Sequence, residues 1–336
     1  METSSTPATA RADPGPLARA SRIAVVVPCY RERARILDVL ERIGPEVAWI
    51  FVVDDACPEH TGELVQADCH DPRVRVLRNA SNQGVGGATL EGYAAALAAG
   101  AEVIVKLDGD GQMDPGLIPR LVRPILEGQA DYTKGNRFFE LEGVRTMPGL
   151  RLFGNTILSF VTKLSSGYWD LFDPTNGFTA IQARVAERVP LERVSRGFFF
   201  ESDLLFRLNT LQAVVRDVPM RASYGSEASK LAVHRVAGLF LVSHARNTLK
   251  RIVYNYFLRN FTIASIEIVL GLVLLAFGVT IGVVEWLRSA ATGIPATSGT
   301  VMLAALPVLV GIQLLIAFIG HDMHGIPREP LHKRLL

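Results

Sequence analysis

Cysteine is scarce in this chain. Cys29, Cys57 and Cys69 are its 3 cysteines in 336 residues, and their spacing fits no metal-ligand pattern. A sparse, odd set of thiols argues against a disulfide framework or a zinc site and predicts reduced, structural cysteines. An excess of charge of one sign is missing too. Lys and Arg number 35 against 33 Asp and Glu, a formal net charge of +2, whereas a nucleic-acid binder usually shows a strong basic excess. No nucleic-acid partner is therefore expected. Residues 1–20 hold no apolar run and are small, polar and Pro-bearing, which predicts a disordered arm rather than a secretory signal.

The positive mean hydropathy, +0.25, is concentrated after residue 260. Ile268 to Val284 carries no charge, and the apolar stretch reaches back to Phe261 with Glu267 as its one charge. Val301 to Ile319 is a second charge-free run, interrupted mainly by Pro307 and Gln313. Each approaches the ~20 residues that cross a bilayer core, so transmembrane helices are expected at about 261–284 and 301–320. Arg246, Lys250, Arg251 and Arg259 precede the first run, and Arg328, Lys333 and Arg334 follow the second. The positive-inside rule then places the N-terminal region and the tail, 321–336, in the cytoplasm of a multi-pass membrane protein. His321 and His324 read as part of that polar tail. Gly271 and Gly278 are small residues through which copies of the hairpin could associate into a homo-oligomer. In 233–260, apolar positions such as Val236, Phe240, Leu241, Leu249 and Ile252 recur at helical spacing among Arg235, Arg246, Lys250 and Arg251. This predicts an amphipathic juxtamembrane helix on an anionic membrane surface.

Residues 21–232 alternate strand-like and helix-like segments. Ile23–Val27, ended by Pro28, reads as a strand, followed by helical spacing over Arg31–Ile43. Trp49–Val53, Arg73–Leu77 and Glu102–Leu107 read as further strands, and Gly87–Ala99 as an Ala-rich helix. The alternation predicts an α/β domain with a mainly parallel sheet. Such sheets bind ligands beyond their strand C-terminal ends. Pro28-Cys29-Tyr30, Asp54-Asp55 and Asp108-Gly109-Asp110 all fall there. A dinucleotide-binding unit is not indicated, because no Gly-x-Gly-x-x-Gly follows the first strand and Gly84, Gly86 and Gly87 miss its spacing. No Walker A lysine motif is present.

Asp108 and Asp110 leave a buried strand into a Gly-rich turn and can reach one hard cation together, with Gln112 offering a third oxygen. Oxygen ligands suit Mg²⁺ or Mn²⁺, ions that commonly also hold substrate phosphates. A nucleotide-diphosphate sugar is the natural partner. A solvated Asp-Gly turn is the alternative reading of this triplet, and helix N-capping is the alternative for Asp54 and Asp55.

The sequence Val-Val-Val-Pro28-Cys-Tyr30-Arg-Glu32, the pair Asp54-Asp55, the segment Asn82-Gln83-Gly84-Val-Gly86-Gly87 and Leu-Asp108-Gly-Asp110-Gly-Gln112-Met-Asp114-Pro115 together resemble family 2 glycosyltransferases of the GT-A fold. Lys134-Gly135-Asn136-Arg137-Phe138, Asp173-Pro174-Thr175-Asn176-Gly177-Phe178 and Tyr224-Gly225-Ser226-Glu227-Ala228-Ser229-Lys230 resemble, more narrowly, the dolichyl-phosphate mannose synthase and polyprenyl-phosphate glycosyltransferase branch. Ala56, Cys57 and Asn176 are mild departures, and the Gln-x-x-Arg-Trp motif of processive synthases is absent. The resemblance implies a Rossmann-like GT-A domain and inverting transfer of one hexose, from GDP-mannose or UDP-glucose, to a dolichyl or undecaprenyl phosphate. By the same resemblance Pro28, Tyr30, Glu32, Asp54, Asp55, Gly84, Asp108 and Lys230 contact the nucleotide sugar. Asp108, Asp110 and Gln112 bind Mg²⁺ or Mn²⁺. Arg137 and Arg151 hold the acceptor phosphate, and Asp173 orients the acceptor or accepts a proton. Glu201 contacts sugar hydroxyls or caps a helix. Transfer to another membrane lipid, and a non-enzymatic nucleotide-sugar-binding membrane protein, remain as alternatives.

Overall fold

A computed structural model describes residues 22–137, 149–174, 176–220 and 233–335. The arm 1–20, Lys230 with its loop, and the side chain of Arg151 lie outside the described residues. The described strands are β1 (Ile23–Cys29), β2 (Val47–Asp54), β3 (Val74–Arg78), β4 (Val103–Lys106), β5 (Tyr132–Asn136), β6 (Thr179–Gln182) and β7 (Val215–Pro219). They form one 7-stranded sheet in the order β3-β2-β1-β4-β6-β5-β7. All pairings are parallel except those of β6, which is antiparallel to both β4 and β5. The fold class is therefore as expected: α/β with a mainly parallel sheet.

The helices around it are α1 (Ile36–Glu41), α2 (Thr61–Asp68), α3 (Gly84–Ala98), α4 (Ile118–Leu126), α5 (Gly149–Ser166), α6 (Ala183–Ala186) and α7 (Phe200–Thr210). Successive strand residues point to opposite faces, so β1, buried throughout, serves two cores. Ile23, Val25 and Val27 pack with Ile36, Val39, Leu121 and Val122 on one face. Ala24 and Val26 pack with Ala88, Tyr93, Leu204 and Leu205 on the other. Burial on both faces explains why these strands read as continuous apolar runs.

Pro28 does not end β1. The strand continues to Cys29, paired Pro28↔Val53 and Cys29↔Asp54 with β2. The β4 ladder stops at Val26↔Lys106. The N–H that proline lacks would fall beyond it, so no sheet hydrogen bond is lost. The expected helix over Arg31–Ile43 is also shorter. Arg31 has a left-handed φ of 63°, and a turn in which Glu32 O accepts from Arg35 and Ile36 precedes α1.

After the domain come α8 (Val233–Val253), a π-helical segment (Tyr254–Arg259), and two antiparallel helices, α9 (Ile263–Thr292) and α10 (Ser298–His324). At 1.5 Å per residue the last two span roughly 45 and 40 Å, enough to cross a bilayer with its headgroups. Only 11% of the most apolar window of each is buried, unlike core helices of a soluble domain. Both are longer than the charge-free runs. Past Val284, Glu285 and Arg288 pair at 3.7 Å on one helix face, and helix continues until Gly293 closes it in a left-handed conformation, φ 69°. Gly271 and Gly278 do not face outward. Their backbones meet α10 of the same chain, where a Cβ on Gly278 would lie 2.6 Å from Ala304 O. These glycines close the hairpin and present no seam to a second copy.

The juxtamembrane helix differs in its buried face. His244, Asn247, Arg251 and Asn255 are buried, while Leu239, Leu241, Val242, Leu249 and Val253 are exposed with Arg246 and Lys250. The polar stripe docks on the catalytic domain: His244 on Ser165 (2.7 Å), Asn247 on Asp203 (2.9 Å) and Asn255 on Asn209 (2.9 Å). Arg251, expected at the lipid surface, is instead paired with Asp322 of α10 at 2.6 Å.

The tail is not a free polar segment either. Ile326 and Leu331 pack against the core on the α3 side of the sheet. Fully buried Asp131 accepts from the Val214, Leu331 and His332 amides at 2.7, 2.7 and 2.9 Å, and meets His332 Nδ1 at 2.6 Å. At the edge of the sheet, Asp217 of β7 accepts from the Phe172 amide at 2.7 Å and the Asn136 side chain at 3.2 Å. Its Oδ1 is buried without a hydrogen-bond partner among the described residues. Burial pushes its carboxyl up to about 6.

Two outcomes follow from these contacts. Asp131→Ala orphans one buried and two partly buried amides and should cost roughly 3 kcal/mol. In detergent it should melt earlier and expose Arg328–Arg334 to trypsin; parent-like melting with a protected tail would show that the clamp contributes nothing. For Asp217, the folded chain binds its proton more tightly than the unfolded chain, so the stabilisation is present below about pH 4 and lost as pH rises through about 6. Asp217→Asn should flatten that loss, by roughly 2 kcal/mol, in denaturant titrations between pH 4 and 7.

Candidate active site

Because β6 runs opposite to its neighbours, its start lies on the rim formed by the ends of β1, β2, β4, β5 and β7. This places Asp54 and Asp55 (end of β2), Asp108 and Asp110 (after β4), Arg137 (after β5) and the Asp173–Phe178 turn (before β6) on one rim.

Asp108 and Asp110 are partly buried in a turn that Gly111 permits with φ 73°. Asp110 Oδ1 accepts the Gln112 amide at 3.0 Å, and Arg35 holds the Asp110 carbonyl at 2.9 Å. Burial raises the Asp110 carboxyl above its ordinary range, with Asp108 adding to the rise. Asp108 Oδ1 is bound at 2.6 Å by the fully buried ammonium of Lys106. Asp108 Oδ2, Asp110 Oδ2 and Gln112 Oε1 have no protein donor among the described residues. Two carboxylates and an amide are the donor set a hard divalent cation takes when diphosphate and water complete its shell. The described residues bring no third His, Cys, Asp or Glu to the pair.

Asp54 and Asp55 are buried, 6% and 2% exposed, and their hydrogen bonds are those of the capping alternative. Asp54 accepts the Cys57 and Gly62 amides, both at 2.7 Å, which fixes the start of α2. Asp55 accepts the Gln83 and Gly84 amides at 2.9 and 2.8 Å and the Asn79 side chain at 2.7 Å, which fixes the start of α3. Gly84 is thus tied to Asp55 through its own amide. Tyr30 is 39% exposed at the end of β1, with the Arg31 guanidinium 5.4 Å from its ring centre. Pro28 is buried beneath it, and Glu32 stands partly exposed at the turn before α1.

Arg137 and Asp173 are brought together. Arg137 Nε and Nη2 reach the two Asp173 oxygens at 2.8 and 3.1 Å, a bidentate pair, and the Arg137 amide adds a bond at 3.3 Å. Asp173 is 1% exposed. Its described role is to hold the Arg137 fork. Arg151 lies in the first turn of α5.

Three contributors were not singled out from the sequence. Lys106 closes the apolar strand Val103–Lys106, and a charge there is the signal it offered, whereas Lys134 and Asp217 sit in the mixed strands Tyr132–Asn136 and Val215–Pro219, which offer no such signal. Lys134, fully buried, donates to Asn176 O of the Asp173–Phe178 turn. Burial lowers its ammonium to about 8. Glu201, named as a sugar-contacting or capping residue, lies in the first turn of α7 and is 3.3 Å from Lys106.

The glycosyl transferase family 2 model matches residues 24–189. A polyprenol monophosphomannose synthase of Mycolicibacterium smegmatis is 32% identical over 214 residues, 62% of this chain and 80% of that protein. An undecaprenyl-phosphate mannosyltransferase of Micrococcus luteus is 30% identical over 203 residues, 59% of this chain and 82% of that protein. Among solved structures, glucosyl-3-phosphoglycerate synthase of Mycobacterium tuberculosis with Mn²⁺ and UDP-glucose superposes with a TM-score of 0.50 at 23% identity, over 68% of this chain and 82% of that one, which shows the shared GT-A fold. With two relatives at this identity matched over most of their length, and a rim carrying the acidic pair and the Arg137–Asp173 fork, the chain belongs to glycosyltransferase family 2 and is a glycosyltransferase.

Proposed function

We propose that this enzyme transfers one hexose, mannose in the first instance, from a nucleotide-diphosphate sugar to a polyprenyl phosphate, inverting the anomeric carbon. The observation that carries the reading is the bidentate Arg137–Asp173 pair on the same rim as Asp108 and Asp110, in a chain whose apolar hairpin is fastened to that domain. The two relatives named for polyprenol and undecaprenyl phosphate support the acceptor and the sugar.

The residues divide the work. Tyr30, Pro28 and Glu32, at and after the end of β1, border the nucleotide with Asp54, Asp55 and Gly84, whose hydrogen bonds hold the starts of α2 and α3. Lys230 belongs to the expected closing loop. Asp108, Asp110 and Gln112 would hold Mg²⁺ or Mn²⁺, which when bound offsets charge on the departing nucleoside diphosphate. A phosphate monoester has a second pKa of about 6, so the acceptor is largely dianionic at neutral pH and needs no base. Arg137, oriented by Asp173 through its Nε and Nη2, would meet phosphate oxygens with the outer edge of its guanidinium, joined by Arg151. An acceptor oxygen forms a bond to the anomeric carbon as the bond to the diphosphate breaks, and the nucleoside diphosphate leaves.

Asp173 separates this reading from transfer to a lipid hydroxyl. A hydroxyl acceptor needs a general base within reach, whereas both Asp173 oxygens are taken by Arg137. An ionised phosphate asks for the fork and no base. The exposed apolar and basic side chains of α8, Leu239, Val242, Leu249, Arg246 and Lys250, suit the headgroup layer of an anionic leaflet. That layer is the cytoplasmic face, with the domain and tail on the same side.

The deciding experiment offers the full-length enzyme a panel of nucleotide sugars with undecaprenyl phosphate and Mg²⁺ or Mn²⁺, reading glycolipid by mass spectrometry. Mannosyl lipid phosphate is expected from GDP-mannose; product on a diacylglycerol or ceramide instead would refute the acceptor. In the same assay Asp110→Asn should lower turnover at least ~100-fold, as expected for a ligand of the charge-compensating ion. Arg137→Lys should raise the acceptor KM roughly tenfold, because a point charge replaces a fork. A parent-like KM would remove Arg137 from the phosphate site.

A further inference from the structure

Lys106 ends β4, two positions before Asp108, and its side chain is 1% exposed. Its ammonium meets three separate segments: Asp108 Oδ1 at 2.6 Å, Gly177 O at 3.3 Å and Glu201 Oε1 at 3.3 Å. Two of its three N–H donors are used in hydrogen bonds to Asp108 and Gly177, and Glu201 adds an ion pair. Gly177 is needed for the approach, since a Cβ there would lie 2.5 Å from Asp108 Oδ2 and 2.7 Å from Lys106 Nζ. The adjacent carbonyl, Asn176 O, rests on Lys134. Two successive carbonyls of the Asp173–Phe178 turn therefore sit on two buried cations, one of which also grips the first acid of the cation site.

Burying an ammonium costs several kcal/mol before its partners offset the loss, and an apolar side chain of similar size often serves packing as well or better. What the charge supplies here is a fixed joint. Asp108 stands on the donor side of the rim, while the Gly177 turn carries Asp173, and through it Arg137, on the other. Within the reading of this enzyme as a glycosyltransferase, we propose that Lys106 is a positioning residue. It sets the separation between the Asp108 side and the Asp173–Arg137 side of the reaction. It also moderates the pull of the acidic pair on a divalent ion, because one of the two carboxylate charges is already offset.

The test uses the full-length chain in detergent, as the parent, Lys106→Met and the double variant Lys106→Met/Glu201→Gln. Mn²⁺ alone is titrated and the free ion read by electron paramagnetic resonance. Melting temperature is recorded, and transfer is measured from GDP-mannose to undecaprenyl phosphate. Loss of the cation exposes Asp108, so both variants should bind Mn²⁺ roughly tenfold more tightly, the effect of one nearby charge left uncompensated. Turnover should fall about 100-fold with the acceptor KM within about threefold, as for a small misplacement of reacting groups. The double variant, relieved of an unpaired Glu201, should regain melting temperature but not turnover. Turnover recovering with melting temperature, or Mn²⁺ binding unchanged or weaker in both variants, would overturn the proposal. If the parent transfers no sugar from any donor, the glycosyltransfer reading fails and the Mn²⁺ titration alone decides Lys106.

Discussion

The buried ion pair between Arg251 and Asp322 is the contact on which the arrangement of this enzyme depends. Arg251 reaches both oxygens of Asp322 at 2.6 and 2.8 Å, and Asp322 also accepts from Tyr256 at 2.7 Å and Trp169 at 2.8 Å. Arg251 donates further to Leu164 O of α5 at 3.0 Å. One carboxylate near the end of the second membrane helix thus ties that helix to the juxtamembrane helix, to the π-helical segment and to the catalytic domain. Breaking such a buried pair from one side typically costs about 3–5 kcal/mol, because a charge is left without a partner. For the proposed lipid acceptor, whose phosphate would lie at a fixed depth, the height of the rim above the bilayer would have to be fixed as well. Flexible tethering would lose the near-attack geometry on which transfer between two bound substrates relies.

The same constraint accounts for the inverted amphipathicity of α8. A helix lying between a polar domain surface and lipid can direct either stripe to either neighbour. Here the domain side offers Ser165, Asp203, Asn209 and the backbone of α5, so the helix turns His244, Asn247, Arg251 and Asn255 inward. Its leucines and valines are left for the bilayer. Helical periodicity showed that two stripes exist, but not which neighbour each meets. That choice depends on partners nearly 50 or more residues away in sequence.

Legibility follows the range of the interaction. The alternating strands and helices, the acidic turn after β4 and the two apolar runs could be read directly, because each is specified within about twenty residues by burial on both faces, turn chemistry or hydropathy. The Asp131 clamp on Leu331 and His332 joins residues about 200 apart and left no local mark. Asp54 and Asp55 show an intermediate case. Their position at the end of β2 was evident, but an acid at a strand end can face a ligand, hold the next helix or do both, and nothing local in the sequence marks the bonds that Asp54 and Asp55 make to the amides of Cys57, Gly62, Gln83 and Gly84. Pro28 misled for a related reason, since the effect of proline in a strand depends on where the neighbouring ladder stops.

Charge balance along the rim supports Asp110 as the centre of the proposed cation site. Asp173 is matched by Arg137 and Asp108 by Lys106, which Glu201 also faces. Asp110 takes a backbone amide and has no basic ion-pair partner among the described residues, and burial lifts its carboxyl above the ordinary range. Uncompensated negative charge therefore stands at this turn, where Gln112 adds an oxygen and the set suits a hard divalent ion. The acids already paired with protein cations have less to gain from such an ion. A nucleoside diphosphate brought to the same turn adds further negative charge, which strengthens the demand for a cation there. Donor and metal are then expected to bind in a mutually supporting way, while the orientation of Arg137 is set by Asp173 and not by the metal.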